Sequence, residues 1–94
     1  MQYTLRYSRQ FKRQYKKLER SGRPGLAGKL DAIMNILASG QTLPARCLNH
    51  RLAGQLNGLW ECHVAPDWLL IYRLHQDVLV LEFFATGTHT QLFD

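Results

Sequence analysis

Over the first seven residues apolar and polar positions alternate. Tyr3, Leu5 and Tyr7 stand against Gln2, Thr4 and Arg6, the period of a strand with one buried face. The period changes at Ser8, a favourable N-cap: Phe11, Tyr15 and Leu18 recur at helical spacing until Ser21-Gly22 breaks the pattern. Lysines and arginines fill the positions between, so the pattern predicts an amphipathic helix with a basic outer face. Pro24 suits the first turn of a second helix, whose apolar positions are Leu26, Leu30, Ile33, Met34 and Leu37, and Gly40 closes it. From Gln41 to Leu56 no period persists, and Pro44 and Gly54 favour a loop, with room for a short strand near His50 to Leu52. Asn57-Gly58 is a turn signal, and three strand-like runs follow: Leu59 to Val64, Trp68 to Leu74 and Val78 to Phe84. Ala65-Pro66-Asp67 and His75-Gln76-Asp77 are connections short enough to join antiparallel neighbours.

The order β-α-α-β-β-β describes an α+β domain, with two N-terminal helices packed on one face of a twisted, mainly antiparallel sheet. The first strand is free to lie beside the last, but alternation does not fix that pairing. Ninety-four residues without a repeat or a linker are expected to form one domain over 1–94. Within Leu59 to Val64, parity sends Trp60, Cys62 and Val64 one way as core, and Leu59, Glu61 and His63 the other. The apolar runs are strand-length and the N-terminus has no apolar signal core, so a soluble, cytoplasmic protein with no membrane contact is expected. Cys47 and Cys62, without paired spacing or secretory context, read as reduced thiols.

Charge changes this picture more by its distribution than by its net value of +5. Residues 1–29 carry nine Lys/Arg against one Glu, and residues 30–94 carry three against six Asp/Glu. Lys12, Arg13, Lys16, Lys17, Arg20 and Arg23 fall in one short stretch where their potentials add, which favours a polyanionic partner over a merely solvated helix face.

All four histidines lie in the second half: His50, His63, His75 and His89. Imidazole titrates nearest neutrality, so several together can move protons without a metal or an organic cofactor. His50, His63, His89, Asp67, Cys47 and Cys62 are also competent metal ligands, but neither HExxH nor CxxC spacing supports a metal site, and none is expected. His75, in a short turn before Asp77, reads as solvent-exposed.

The runs His50-Arg51-Leu52-x-Gly54, Glu61-Cys62-His63-Val64-Ala65-Pro66-Asp67-Trp68-Leu69-Leu70-Ile71-Tyr72-Arg73 and Thr86-Gly87-Thr88-His89-x-x-Leu92-Phe93 together resemble the YafQ branch of the RelE/ParE toxin superfamily. The resemblance spans most of residues 49 to 94, and the element order extends it to the whole chain. It implies a RelE-like fold and a type II toxin: a ribosome-dependent endoribonuclease that cuts messenger RNA and is held inactive by a cognate antitoxin. It also implies metal-independent attack of the ribose 2′-hydroxyl on the adjacent phosphate, with His50, His63, Asp67 and His89 as the acid/base group and Phe93 as an aromatic near the C-terminus.

Those residue types suit the chemistry. One group must take the 2′-proton, another must protonate the leaving 5′-oxygen, and a cation should face the charge that builds on phosphorus. Which histidine is acid and which is base is not readable from sequence, and Asp67 either acts directly or orients an imidazole. Trp68 and Phe93 are candidates to stack on an unpaired base, and Lys12, Arg13, Lys16 and Lys17 to hold RNA phosphates. At Ala85 the chain departs from its relatives, which often carry an arginine there. Either Arg51 or Arg73 supplies the cation, or the toxin is attenuated, by nature or by substitution. The alternative function is a ParE-like toxin of this fold that inhibits DNA gyrase without cutting RNA, because the fold alone does not decide chemistry.

Overall fold

The computed structural model describes residues 3–54 and 58–93, in the order β1 (Thr4–Tyr7), α1 (Arg9–Glu19), α2 (Leu26–Ala38), a 3-10 turn (Ala45–Cys47), β2 (His50–Arg51), β3 (Trp60–Ala65), β4 (Trp68–His75), β5 (Val80–Gly87) and α3 (His89–Phe93). Asn57 of the Asn57-Gly58 turn lies outside the described residues. Ser8 caps α1 as the sequence predicts: its Oγ accepts from the Phe11 amide at 2.9 Å and donates to the Phe84 carbonyl, tying the helix start to β5. Lys16 and Lys17 fall in the last turn of α1, where positive charge complements the helix dipole. Ser21 then ends it by donating to the Leu18 carbonyl. Pro24 does not occupy the first turn of α2. Gly25 intervenes with φ +79°, a left-handed conformation that glycine adopts at little cost, and the helix begins at Leu26.

The five strands are ordered β1-β5-β4-β3-β2, with β1 parallel to β5 and every other pair antiparallel. Thus β1 does lie beside the last strand. β5 begins later than predicted, because Val78 and Leu79 form the hairpin turn, with the Val78 amide bonded to the His75 carbonyl and Leu79 at φ +53°. It also runs further, so Thr86-Gly87 is strand. The short α3 is an element the periodicity did not reveal, although its capping box is visible in Thr88-x-x-Gln91: the Thr88 amide donates to Gln91 Oε1 at 2.9 Å and the Gln91 amide to Thr88 Oγ1 at 3.2 Å.

Both long helices cover one face of the sheet. Phe11, Leu18, Leu30, Leu70, Tyr72, Leu81 and Phe83 form the centre of this core, and Phe83 lies within 6 Å of the Tyr7 and Phe11 rings. Truncating Phe83 to Ala is expected to destabilise by about 3–5 kcal/mol, since the cavity could not close around it. Among the described residues, the other face carries only α3 and a small apolar cluster of Leu59, Ile71 and Ala85, against which Leu52, Phe84, Leu92 and Phe93 pack. A bulge divides the two faces. Tyr72 pairs with Phe83 and Ile71 with Ala85, so Phe84 is the extra residue and the alternation reverses after it. Leu81 and Phe83 therefore face the helices, Ala85 faces away, and Thr86 faces the helices again.

Candidate active site on the open face of the sheet

Register assembles the site, because residues paired across neighbouring strands share a face. His50 pairs with Glu61, Glu61 with Ile71 and Ile71 with Ala85, one row across four strands. His63, Leu69 and Gly87 form the next row, and His89 follows Gly87 by two residues at the start of α3. A Cβ at Gly87 would come within 2.9 Å of Gln91 Oε1 and 3.3 Å of Leu92 Cδ2, so a side chain there would displace these two side-chain ends and disturb the cap of α3.

His50 is oriented on both sides of its ring. Nδ1 lies 2.8 Å from the Leu48 carbonyl, an acceptor, so the ring donates from Nδ1 and its exchangeable nitrogen is Nε2. Nε2 sits 3.5 Å from a carboxylate oxygen of Glu61, a residue only 7 % exposed. The backbone that carries His50 is anchored from the core: Tyr72, 1 % exposed, donates from its hydroxyl to Asn49 Oδ1 at 2.5 Å. Burial holds the Tyr72 phenol well above the usual range, so it remains a donor. His63 is half-buried on the face parity predicts, and His89 is exposed, its ring 4.9 Å from that of Phe93.

Asp67 is in a different situation. Its carboxylate accepts two hydrogen bonds from Arg23, at 3.0 and 2.9 Å, across the turn between β3 and β4. That guanidinium holds the Asp67 carboxyl below its ordinary range, so it is ionised at neutrality. The carboxylate beside His50 is thus Glu61, while Asp67 is clamped to Arg23. Strand parity, which put Glu61 on the histidine side, was the signal for the first. Nothing local marks Arg23, forty-four residues away, for the second.

Trp68 is not open for stacking. It is 7 % exposed and faces the helices, its indole N–H donates to Thr86 Oγ1 at 2.8 Å, and the Arg23 guanidinium lies 5.7 Å above its ring. Thr86 Oγ1 in turn donates to the Leu69 carbonyl, and the Thr86 amide donates to Gln14 Oε1, which pins the end of β5 to α1. Arg51 also points away from the histidines, 5.4 Å over Trp60 on the helix face, whereas Arg73 shares the open face and Ala85, 1 % exposed, lies in its floor. Lys12, Arg13, Lys16 and Lys17 are exposed on α1, which packs on the face of the sheet opposite His50 and His63. A cleft of about 490 Å³, bordered by Lys17, Arg23, Trp68, Thr88 and Gln91, reaches from α1 to the first turn of α3.

His75 ends β4 rather than lying in the turn, and its Nε2 is 3.8 Å from Glu82. Cys47 and Cys62 are free and buried, and desolvation pushes the Cys62 thiol up to about 12. Among the described residues no group of three or more His, Cys, Asp or Glu is disposed to hold a metal ion, and no helix is long and apolar enough to cross a membrane.

The family model for the bacterial toxin of type II toxin–antitoxin systems, YafQ, matches residues 3–94. The chain belongs to the YafQ toxin family. The mRNA interferase toxin YafQ of Escherichia coli K12 is 35 % identical over 94 residues, covering 99 % of this chain and 98 % of that protein. The crystal structure of YafQ from E. coli BL21(DE3) superposes with a TM-score of 0.89 at 34 % identity, over 99 % of this chain and 100 % of the other. That of the E. coli DinJ-YafQ toxin-antitoxin complex gives 0.88 at 35 % identity over the whole of both chains. The RelE-like fold expected of a YafQ relative is therefore the fold of this one. In this YafQ-family chain the row through His50 and Glu61 ends on a buried methyl group at position 85.

Proposed function

We propose that this YafQ-family toxin is an mRNA endoribonuclease that works on the ribosome, and that its own side chains, without a metal or cofactor, perform the acid/base chemistry. The observation that carries the reading is His50: its Nδ1 proton is committed to the Leu48 carbonyl, its Nε2 is presented beside Glu61, and it shares an open sheet face with His63. One imidazole takes the proton of the ribose 2′-hydroxyl as that oxygen attacks phosphorus. A second donates a proton to the departing 5′-oxygen as the P–O bond breaks. The products are a 2′,3′-cyclic phosphate and a free 5′-hydroxyl, and no external proton source or oxidant is required. His63 and His89 are the candidates to partner His50. Asp67, ionised and gripped by Arg23, holds the β3–β4 turn and does not act as the acid. The partly buried Phe93 ring beside His89 offers a surface for an unpaired base.

The exposed cations of α1, Lys12, Arg13, Lys16 and Lys17, serve ribosomal RNA or an acidic segment of the cognate antitoxin rather than the reaction, since they carry no group that titrates near neutrality. A toxin acting on ribosomes works in the cytoplasm. The decisive experiment maps cut sites on ribosomes programmed with messenger RNA. Cleavage that falls in His50→Ala, His63→Ala and His89→Ala at unchanged melting temperature supports the proposal. Intact RNA together with inhibited DNA gyrase would replace it with the ParE-like alternative.

A further inference from the structure

The reaction proposed above drives negative charge onto a phosphate in front of the histidines, and a cation on the same face must meet it. We propose that Arg73 is that cation, a catalytic residue gripping the scissile phosphate; the assignment rests on the endoribonuclease reading and deepens it.

Register brings Arg73 to the right face. It lies on β4 two residues, roughly 6.6 Å, beyond Ile71, whose row contains His50, Glu61 and Ala85. β4 is flanked by β3 and β5, so Arg73 rises between the strand bearing Glu61 and the strand bearing Ala85. The other arginines are elsewhere: Arg51 is spread over Trp60 on the helix face, Arg23 is clamped by Asp67, and Arg6, though in the same row as Arg73, sits on the edge strand β1 with β5 between them.

The side chain is also unsatisfied. Among the described residues the Arg73 Nε is buried with no hydrogen-bond partner, packed against Gly58, whose Cβ position lies 3.9 Å away. Two carboxylates lie nearby, Glu61 with an oxygen 3.5 Å from His50 Nε2 and Glu82, which pairs with Arg73 between β4 and β5, 3.8 Å from His75 Nε2, and among the described residues neither forms an ion pair with Arg73 within 4 Å. A half-buried guanidinium that makes no ion pair among the described residues is set to take an anion on its outer nitrogens, and a phosphate matches its forked donors.

The test measures single-turnover cleavage on programmed ribosomes, ribosome affinity and melting temperature for the parent, Arg73→Gln and Arg73→Lys. The same rates are measured on a messenger in which a non-bridging oxygen of the scissile phosphate is replaced by sulfur. Arg73→Gln is expected to slow cleavage about a hundredfold or more at unchanged affinity, with Arg73→Lys between it and the parent. The rate penalty for sulfur should shrink in Arg73→Gln, because the contact that senses the substitution is gone. Loss of rate with an unaltered sulfur penalty would reduce Arg73 to a structural role and overturn the proposal. A parent that cleaves and depends on His50, alongside an Arg73→Gln that cleaves equally well, sinks Arg73 alone. A parent that leaves the RNA intact sinks the endoribonuclease reading and Arg73 with it.

Discussion

Tyr72→Phe is the substitution that isolates how the core positions His50. The ring would keep its packing within the core and its stacking on Trp60, 6.5 Å between centroids, so no cavity opens and hydrophobic burial is conserved. What is lost is one hydrogen bond, from the Tyr72 hydroxyl to Asn49 Oδ1. Asn49 is exposed and can turn to water, and the phenylalanine leaves no buried donor behind, so the loss is the net worth of a neutral hydrogen bond, about 0.5–1.5 kcal/mol. In a chain of 94 residues, about 1 kcal/mol corresponds to a fall of about 4–8 °C in melting temperature. The effect on cleavage should exceed the effect on stability. β2 is only two residues long and paired on one side, and with Asn49 released the imidazole is held only by the Leu48 carbonyl, the neighbouring Glu61 carboxylate and the strand pairing. Misplacement of a reacting group by about 1 Å costs up to a hundredfold, so a drop of roughly tenfold in single-turnover cleavage is expected at 25 °C, where the variant remains folded. The assay pairs thermal melting with cleavage on programmed ribosomes. A variant that melts several degrees lower yet cleaves like the parent would refute the argument, because the tether would then stabilise the fold without orienting His50.

Ala85→Arg must force a long side chain through a floor packed by Phe84, Leu92 and Phe93, so it should destabilise by about 1–3 kcal/mol and raise cleavage less than tenfold if Arg73 already meets the phosphate; a hundredfold gain would show that charge to be unmet. Arg23→Gln should return the Asp67 carboxyl toward its ordinary range. A depressed folded value contributes stability above the unfolded one and loses it as pH falls through the folded one, so the parent's melting advantage should be present at pH 7 and vanish in acid, and a gap that is constant with pH would contradict this. Changing Lys12, Lys16 and Lys17 together to Ala should flatten the salt dependence of ribosome binding by about two to three units of log–log slope, measured across a salt series; an unchanged slope would assign the cluster to solubility or to the antitoxin.

Most of the architecture was legible because it rests on local rules. Helical spacing of Phe11, Tyr15 and Leu18, the Ser8 cap and the alternation through Trp60, Cys62 and Val64 each name an element and its buried side without reference to the rest of the chain. The errors fall where a local rule had a local competitor. Pro24 is an acceptable first helical residue, but Gly25 took a left-handed turn and delayed the helix. Val78 and Leu79 look like strand, yet the hairpin from His75 consumes them and leaves Val78 63 % exposed. α3 is too short for its apolar residues to display a period, so only its capping box could have revealed it.

The site was legible as a set of residue types but not as a geometry, and the bulge at Phe84 explains why. Plain alternation continued through β5 would carry Leu81, Phe83 and position 85 to the helices together, and position 86 to the open face. With Phe84 left over, the order inverts: Thr86 turns inward to receive the Trp68 indole, and position 85 turns outward into the histidine row. One extra residue thus decides whether a side chain at 85 serves the core or faces substrate, and whether Trp68 stacks on a base or is locked by a threonine. The same reasoning separates Arg51 from Arg73. They are equal as sequence, both beside apolar strand residues, but β2 pairs Arg51 with Trp60 of the helix face, while Arg73 stands an even number of positions from Ile71 of the open one. Parity counted along a single strand is reliable, but parity carried between strands needs the register, and the register here is set by bulges at Val64 and Phe84 that only the pairing of β3, β4 and β5 reveals.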